Sequence, residues 1–450
     1  MRIIAKPLVV NEEDGFAKDK LGRQEFGESL CNLVIKVDDG LVLALDARWG
    51  EGKTTFVKMW QGLLRQKGIP SIYIDAFQDD YANDAFLTIA GHITQYAEKN
   101  SDVETAADFK KKATKVLLNV LTWSAKTGIK VATAGIIDNA GVELITSIKD
   151  DLSEEASKAA EKIFMEKLGS AQEDKAVVEN FHTTLSTLPQ KLRNNEGNRL
   201  VIILDELDRC RPTYAVNVLE RIKHLFSVPN ICFVLVMNKE QLEGTLKSVY
   251  GATLDARTYL QKFINIEATL PKKSDINNQQ SDHATYVNLL YAAHEIHAGE
   301  DESSLITATT LLAQNFDLSL RHLERAFSNI TLFYLLSDKN DFCFPYLLSF
   351  LSILKVIDSD LYMRLNENTI DYEQMMRELQ SNFPRAQNGA KVAKIFDGIR
   401  FALLSEQDYL QLNSQDGATR FAGRFGVSGM DRNEIAPATF RKLNLLRSQS

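Results

Sequence analysis

The sequence has few cysteines, few prolines and no long apolar run. Its 450 residues include 4 cysteines and 9 prolines. The cysteines lie far apart and form no CxxC pair, which excludes a disulfide framework and a zinc ribbon and predicts reduced, buried thiols. The low proline content excludes collagen-like and linker-like chains. Basic residues are not in excess, with 52 Lys and Arg against 60 Asp and Glu, which argues against a generally basic nucleic-acid-binding surface.

The best candidate for a membrane segment, residues 113–148, is interrupted by charged side chains. Its longest uncharged run, Val116–Ala125, has ten residues, whereas a spanning helix needs roughly 18–20 mostly apolar residues. We therefore expect amphipathic helices packed on protein here, with a role at a membrane surface as the alternative. Together with the cysteine pattern, this favours a cytoplasmic protein.

Hydrophobic patterning predicts an α/β domain followed by a helical domain. Short buried strands are predicted at 41–45, 71–76, 200–204, 231–237 and 264–270. The strand–loop–helix–strand order at the start implies a parallel sheet with right-handed crossovers, sandwiched by helices. The pattern changes at Pro271. We predict an α/β domain over 1–271 with a helical insertion at about 100–190, a helical domain over 272–415 and a loosely ordered tail over 416–450.

A phosphate-binding loop follows the first predicted strand. Residues 47–54, Ala-Arg-Trp-Gly-Glu-Gly-Lys-Thr, match the pattern GxxxxGK[ST] with alanine at the first glycine. Small residues let backbone N–H groups surround phosphate oxygens, and the next helix adds the partial positive charge of its N-terminus. Lys53 would reach the β- and γ-phosphates, and the Thr54 hydroxyl would bind Mg²⁺. The alternative is a tight strand-to-helix turn with an exposed lysine. The predicted nucleotide-binding residues of this loop are Trp49, Gly50, Glu51, Gly52, Lys53, Thr54 and Thr55.

Two adjacent acidic residues, Asp205 and Glu206, follow the predicted strand 200–204. Acidic side chains just past a buried parallel strand lie at the carboxyl edge of the sheet, where ligands bind. Asp205 is predicted to hold Mg²⁺ through water, and Glu206 to polarise the attacking water as a general base. Neighbouring residues point opposite ways, which favours two different roles. The alternative is a charged turn after a strand.

Further polar residues are candidates for sensing the nucleotide. Asn238 follows the strand 231–237 and is predicted either to sense the γ-phosphate or to cap the next helix. Arg321 and Arg325 share a helix face and would either bring positive charge onto the phosphates or form a solvated basic face. Arg209 and Arg211 are candidates for a charge donated to a neighbouring subunit.

A pair of histidines and an arginine-rich C-terminal segment are the remaining polar features of the sequence. His294 and His297 are spaced like metal ligands, but the sequence offers no third ligand nearby, so we expect surface residues. The arginine-rich residues 419–450 suit an acidic partner, nucleic acid or, more simply, a solvated tail. No motif indicates a base-specific contact with nucleic acid.

Several segments, in the right order, resemble the KAP-type P-loop NTPases. The most specific is Asp205-Glu206-Leu207-Asp208-Arg209-Cys210 with Pro212, which is close to the family signature Asp-Asp-Leu-Asp-Arg-Cys-x-Pro. Residues 21–26 look like the helix that precedes the family's nucleotide loop, and we place Arg23 in the nucleotide site. The other matching segments are 49–54, 74–77 and 318–325.

This resemblance implies an additional-strand P-loop fold of the STAND/AAA-like division, ATP with Mg²⁺ as ligands, and nucleotide-driven assembly. For some bacterial members it also implies a part in excluding phage. Family members often carry transmembrane helices between the two motifs, and residues 113–148 depart from that pattern. The predicted catalytic residues are Glu206, Lys53, Asn238 and Arg321.

We therefore predict a cytoplasmic, Mg²⁺-dependent ATPase that couples ATP binding or hydrolysis to conformational change or self-assembly. Anti-phage defence together with other defence proteins is the expected cellular role. The alternatives are a nucleotide-binding oligomeric switch or scaffold with little turnover, and a membrane-associated NTPase.

Overall fold

The computed structural model describes residues 1–4, 14–37, 39–82, 84–126, 175–193, 198–273, 281–338, 343–382, 389–413, 415–419, 421 and 431–444. The segment 113–148, for which we predict amphipathic helices, lies outside the described residues from residue 127 onwards. Within the described residues, no helix is both long enough and apolar enough to cross a bilayer.

Five strands form one parallel sheet at the centre of the N-terminal domain. They are β1 (Leu41–Asp46), β2 (Ser71–Asp75), β3 (Leu200–Asp205), β4 (Ile231–Met237) and β5 (Ile266–Thr269). The strand order is β2-β3-β4-β1-β5, and every neighbouring pair is parallel. The predicted fold class, a P-loop NTPase sheet sandwiched by helices, is confirmed. Strand β4 lies between β1 and β3.

Alternate residues of the central strands point to opposite faces of the sheet, and helices cover both faces. Leu43 packs with α1 and α2 on one face, whereas Val42 packs with α3 and α6 on the other. The nearly continuous burial of β1, β3 and β4 follows from this two-sided cover. The helices of this domain are α1 (Gln24–Lys36), α2 (Lys53–Gln66), α3 (Ala85–Asn100), α4 (Val103–Lys126), α5 (helical residues 175–191), α6 (Pro212–Arg221), α7 (Lys239–Tyr250) and α8 (Ala256–Leu260).

The helical domain has its own apolar core. Its central helix is α12, whose buried residues lie on all sides, so neighbouring helices surround it. The helices are α9 (Asp282–Ala293), α10 (Glu302–Asn315), α11 (Leu320–Leu335), α12 (Pro345–Ile357), α13 (Ser359–Asn366), α14 (Tyr372–Asn382), α15 (Ala390–Leu403), α16 (Glu406–Leu410) and α17 (Arg432–Leu443).

The predicted loosely ordered tail over 416–450 is wrong for residues 431–444. Helix α17 begins after Asp431, whose side chain accepts a hydrogen bond from the Asn433 N–H group. Its buried Ile435 and Phe440 belong to the core of the helical domain, against α11 and α15. Arg432 donates to the Leu404 carbonyl at 2.6 Å. One of the tail's arginines is therefore used within the fold.

Candidate nucleotide-binding site

A cleft of 990 Å³ lies between the carboxyl edge of the sheet and the helical domain. This volume lies at the upper end of the range for small-molecule sites. Its walls come from residues 18–23, from the loop 49–55, from the acidic segment 205–209, and from helices α9 and α11. The loops that follow β1 and β3 lie at the same edge of the sheet because the strands end in register. Asp46 of β1 pairs with Met237 of β4, and Asp205 of β3 pairs with Val236 of β4.

The phosphate loop has the backbone conformation that its glycines allow. Gly50 and Gly52 have φ values of 80° and 83°, in the left-handed region where a side chain is strained. Helix α2 then begins at Lys53, so its N-terminus opens onto the cleft. Fixed N–H groups and a helix N-terminus together make a cradle for phosphate oxygens.

The Lys53 side chain is folded back over this loop. Its ammonium donates to the Ala47 carbonyl at 2.6 Å and to the Arg48 carbonyl at 3.3 Å. Burial lowers the pKa of Lys53, and the nearby carboxylates of Asp205 and Asp208 oppose that shift. Phosphate oxygens at the loop would replace the two carbonyls as stronger, charge-assisted acceptors.

Asp205 is 1 % exposed and is bonded from several sides. It accepts hydrogen bonds from the Tyr73 hydroxyl at 3.0 Å, from the Glu206 N–H at 2.8 Å and from the Thr54 side chain. Burial raises its pKa, and these hydrogen bonds oppose the rise. The Thr54 hydroxyl and the Asp205 carboxylate are the hard oxygen donors that Mg²⁺ prefers. Because protein donors engage both oxygens of Asp205, this donor set suits a contact through water.

Glu206 lines the cleft in a left-handed backbone conformation, with φ of 61°. Its carboxylate pairs with Arg209 at 2.6 Å. Burial raises the pKa of Glu206, and Arg209 opposes that shift. A raised pKa brings a carboxylate closer to the range useful for taking a proton from water.

The acidic segment is also tied to the phosphate loop itself. The Trp49 indole donates to the Asp208 carboxylate. Both residues lie inside motifs that the sequence shows, but they are 159 positions apart. Nothing local in the sequence indicates this contact.

The helical domain contributes two arginines to the same cleft. Arg321 and Arg325 both line it. Helix α11 is capped by Ser319, whose side chain accepts from the His322 N–H at 3.2 Å. The Arg321 N–H then donates to the Gly50 carbonyl at 3.3 Å. The first turn of α11 therefore rests on the phosphate loop.

Comparison with models of known protein families identifies the family of this chain. A family model described as the KAP family P-loop domain matches residues 23–337. The chain belongs to the KAP family. The matched part of this KAP protein covers the whole sheet, both motifs and the two arginines of α11. Among solved structures, the Aeropyrum pernix ORC2 protein in its ADPNP-ADP complexes is similar, with 13 % identity, a TM-score of 0.34 and 94 % of each chain covered. Comparison with curated proteins finds no match.

Glu51 and Arg23, which we predict to bind the nucleotide, form contacts with protein groups around the phosphate loop of this KAP protein. The Glu51 carboxylate accepts from Arg48 at 3.3 Å and from Lys272 at 3.5 Å. Arg23 lines the cleft, but its guanidinium donates to the Glu51 carbonyl at 2.9 Å and to Asp282 of α9 at 3.4 Å. In this structure Arg23 joins the loop to the helical domain.

The polar residue after β4 occupies the N-cap position of α7. Asn238 is buried, and its side chain makes no capping hydrogen bond. Instead, Asp46 of β1 accepts from the Lys239 N–H at 2.8 Å. The sensing role of Asn238 stays a prediction.

The two arginines proposed for action on a neighbouring subunit have partners within the chain. Arg209 pairs with Glu206, and Arg211 pairs with Asp80 at 3.2 Å. Action on another subunit would require these pairs to break, and it stays a prediction.

The expectation that His294 is a surface residue is wrong. It is 1 % exposed because the N-terminal residues and α11 cover it. Within the described residues, no group of three or more His, Cys, Asp or Glu side chains could hold a metal ion. The periodicity of α9 predicts its helical form but not what covers its end.

Proposed function

We propose that this KAP-family protein is a Mg²⁺-dependent ATPase that couples ATP binding and hydrolysis to a movement of its helical domain. The observation that carries the proposal is the hydrogen bond from the Arg321 N–H to the Gly50 carbonyl. The loop that would receive the phosphates is thus in direct contact with the helical domain. A change at the loop would bias the position of α11.

The site residues would divide the chemistry as follows. Lys53 and the loop N–H groups would bind the phosphates, and Thr54 with Asp205 would hold the metal ion. When bound, Mg²⁺ would supply positive charge to the β- and γ-phosphate oxygens. Glu206 would orient the attacking water and accept its proton, and Arg321 would add positive charge from the helical domain.

An ion-pair network around the loop supports the coupling. Asp317, just before α11, accepts from Arg48 of the loop at 2.7 Å and from Lys272 at 2.6 Å. Lys272 also contacts Glu51 of the loop at 3.5 Å. These ion pairs connect the phosphate loop, Lys272 and the helical domain. The negative charge of a bound phosphate would therefore act on all three.

One observation favours a second candidate, a nucleotide-binding oligomeric switch with little turnover. The carboxylate of Glu206 is paired with Arg209 at 2.6 Å. While that pair persists, the carboxylate is a poorer base for water. In this second candidate the bound nucleotide stabilises an assembly and is rarely hydrolysed.

The test is the fate of ATP on the purified full chain. We expect repeated turnover that stops when Mg²⁺ is chelated. One retained nucleotide per chain without phosphate release would instead favour the switch. Failure to bind any nucleotide would contradict both candidates.

We extend the proposal to cytoplasmic anti-phage defence, with self-association and other defence proteins as partners. Its support is the resemblance to phage-excluding KAP members. The test is phage challenge of cells that express the wild type or Lys53→Ala. Protection that depends on Lys53 is expected, and equal plaque counts with and without the protein would contradict this role.

A further inference from the structure

The cleft continues past the phosphate loop along an apolar wall. Leu289, Leu290 and Ala293 of α9 lie on one helix face and line it, and Ile4 lines it from the N-terminal segment. Aliphatic side chains do not interact favourably with phosphate. This part of the cleft suits the uncharged end of a nucleotide.

Two helices that line the cleft, α9 and α11, run from the phosphate loop to His294. Helix α9 begins at Asp282, which Arg23 joins to the loop, and His294 directly follows its last residue. Helix α11 begins on the loop at Arg321 and reaches His294 through Thr331, whose hydroxyl is 3.0 Å from Nδ1. The rise from Arg321 to Thr331 is about 15 Å at 1.5 Å per residue. That length leaves room for a sugar and a base beyond the phosphates.

The hydrogen bonds of His294 define its tautomer. Nδ1 is 2.6 Å from the Arg2 carbonyl, which can only accept, so Nδ1 carries the proton. The Thr331 hydroxyl donates to the Phe327 carbonyl at 2.7 Å and therefore also accepts from Nδ1. Burial lowers the pKa of His294 and therefore favours the neutral ring. Nε2 consequently presents a lone pair.

That lone pair has no hydrogen-bond partner among the described residues. Nε2 is buried, and its ring stacks on Phe327 with centroids 5.9 Å apart, which holds its orientation. A buried acceptor without a donor costs free energy, so such atoms call for an explanation. His294 also lines the cleft. Nε2 is covered from solvent in the ligand-free protein, so a ligand with a donor at its far end would satisfy this atom once the side chains over the ring move aside.

We propose that the base of the nucleotide binds at this end of the cleft and that His294 Nε2 accepts a hydrogen bond from the 6-amino group of adenine. The inference rests on the proposed nucleotide binding at the phosphate loop. The apolar wall would contact the faces of the base, and His294 would determine which base is accepted.

The site is matched to a donor at position 6 and mismatched to a carbonyl there. The nearby hydroxyls are engaged, because Tyr286 donates to the Glu324 carboxylate at 2.5 Å and Ser328 to the Glu324 carbonyl at 3.1 Å. A 6-keto purine would place its oxygen against the Nε2 lone pair. Two acceptors left facing each other reject a ligand more strongly than a missing methyl group does.

The experiment measures equilibrium binding of Mg²⁺ complexes of three triphosphates to the full chain. ATP carries a 6-amino group, ITP a 6-keto group, and purine riboside triphosphate a hydrogen. We expect the wild type to bind ATP about tenfold or more tightly than the other two. His294→Phe keeps a ring beside Phe327 but removes Nε2, and we expect it to bind all three with similar affinity.

Thr331→Val is the matched control. It removes one contact of Nδ1 and leaves Nε2 in place, so the preference for ATP should persist. Ratios of affinities are compared within each variant, because partial unfolding lowers all affinities alike. If His294→Phe does not fold, ¹⁵N-histidine NMR of the wild type replaces it, and the Nε2 resonance should move with ATP but not with ITP.

Several outcomes would overturn the inference. They are equal wild-type affinities for ATP and ITP, tighter binding of ITP, a preference that survives in His294→Phe, and an Nε2 resonance that ATP does not move. Absence of binding by every triphosphate would instead remove the proposed function, and the inference with it. The two failures are distinguishable because only the second abolishes all titrations.

Discussion

The Gly50 carbonyl accepts a hydrogen bond from the Arg321 N–H at 3.3 Å, so the phosphate loop and the helical domain meet through their backbones. The contact needs glycine at this point. Its φ is 80°, and a Cβ atom there would lie 2.7 Å from the Arg321 Cβ. The close approach follows from the absence of a side chain at position 50.

Gly50→Ala should loosen the helical domain from the loop. The left-handed backbone costs an L-residue about 1–2 kcal/mol, and the added methyl group would push α11 away. We expect faster amide hydrogen exchange in the first turn of α11 and weaker ATP binding. Gly244→Ala is the control, since nothing lies within 4 Å of that helical glycine, and it should stabilise α7 by about 0.5–1 kcal/mol. Unchanged exchange in α11 would contradict the coupling.

Lys53→Ala should abolish tight ATP binding. The ammonium of Lys53 lies over the loop carbonyls, where phosphate oxygens would bind. Binding is measured by equilibrium titration with Mg·ATP. Lys36→Ala removes the same charge from an exposed position at the end of α1 and should bind like the wild type. Wild-type affinity in Lys53→Ala would show that the site is elsewhere.

Glu206→Gln should keep ATP binding and slow turnover by about 10²–10⁴-fold, because the amide cannot accept a proton from water. Binding and phosphate release are measured on the same preparation. A parallel loss of binding would indicate a structural role. Unchanged turnover would place the general base at another residue.

Asp205→Asn should reduce the pH dependence of the unfolding temperature of the ligand-free protein. Burial raises the pKa of Asp205 above its ordinary value of 3.8, so the native state binds the proton more readily than the unfolded state does. Stability from this group is therefore present below the ordinary pKa and is lost as pH rises through the raised one. Asparagine does not titrate, so the variant should lack this fall in stability between acid and neutral pH, while its amide keeps only one of the two oxygens that accept hydrogen bonds.

The same variant should lose its response to nucleotide. Thermal unfolding with and without Mg·ATP gives the readout, because a ligand of the native state raises its unfolding temperature. The wild type should respond and Asp205→Asn should respond less. Asp102→Asn is the contrasting control, since hydrogen bonds from Thr105 lower the pKa of Asp102 and neutralisation there should destabilise. A pH dependence of the unfolding temperature that is the same in Asp205→Asn as in the wild type would contradict the prediction.

Asp317→Asn should weaken the hold of the helical domain on the loop. The change keeps size and removes the charge that Arg48 and Lys272 share. Exposed pairs are individually weak, so we expect a few-fold loss of ATP affinity and a larger radius of gyration in solution scattering. Glu378→Gln removes an ion pair with Arg364 inside the helical domain and is the control. An unchanged radius together with unchanged affinity would rule out this role.

Local sequence patterns were enough to predict the sheet and both motifs. Short uninterrupted hydrophobic runs indicate the buried strands. Glycine, lysine and acidic residues lie at short, definite spacings after these runs. The last strand illustrates the precision, since apolar residues indicate 264–270 and the strand is Ile266–Thr269. Such signals are readable because the forces behind them act between neighbours in the chain.

The partner of each polar group was decided by the tertiary structure. Three contacts join residues that are far apart in the chain, namely Trp49 with Asp208, Arg23 with Asp282, and Arg321 with Gly50. His294 is buried, and α17 packs into the core, although both looked like surface features. Packing of one domain against another selects these contacts, and no short period in the sequence records it. Local patterns therefore establish the phosphate loop, the acidic pair and the strands that carry them, whereas the helices that close the cleft are selected by packing between the two domains.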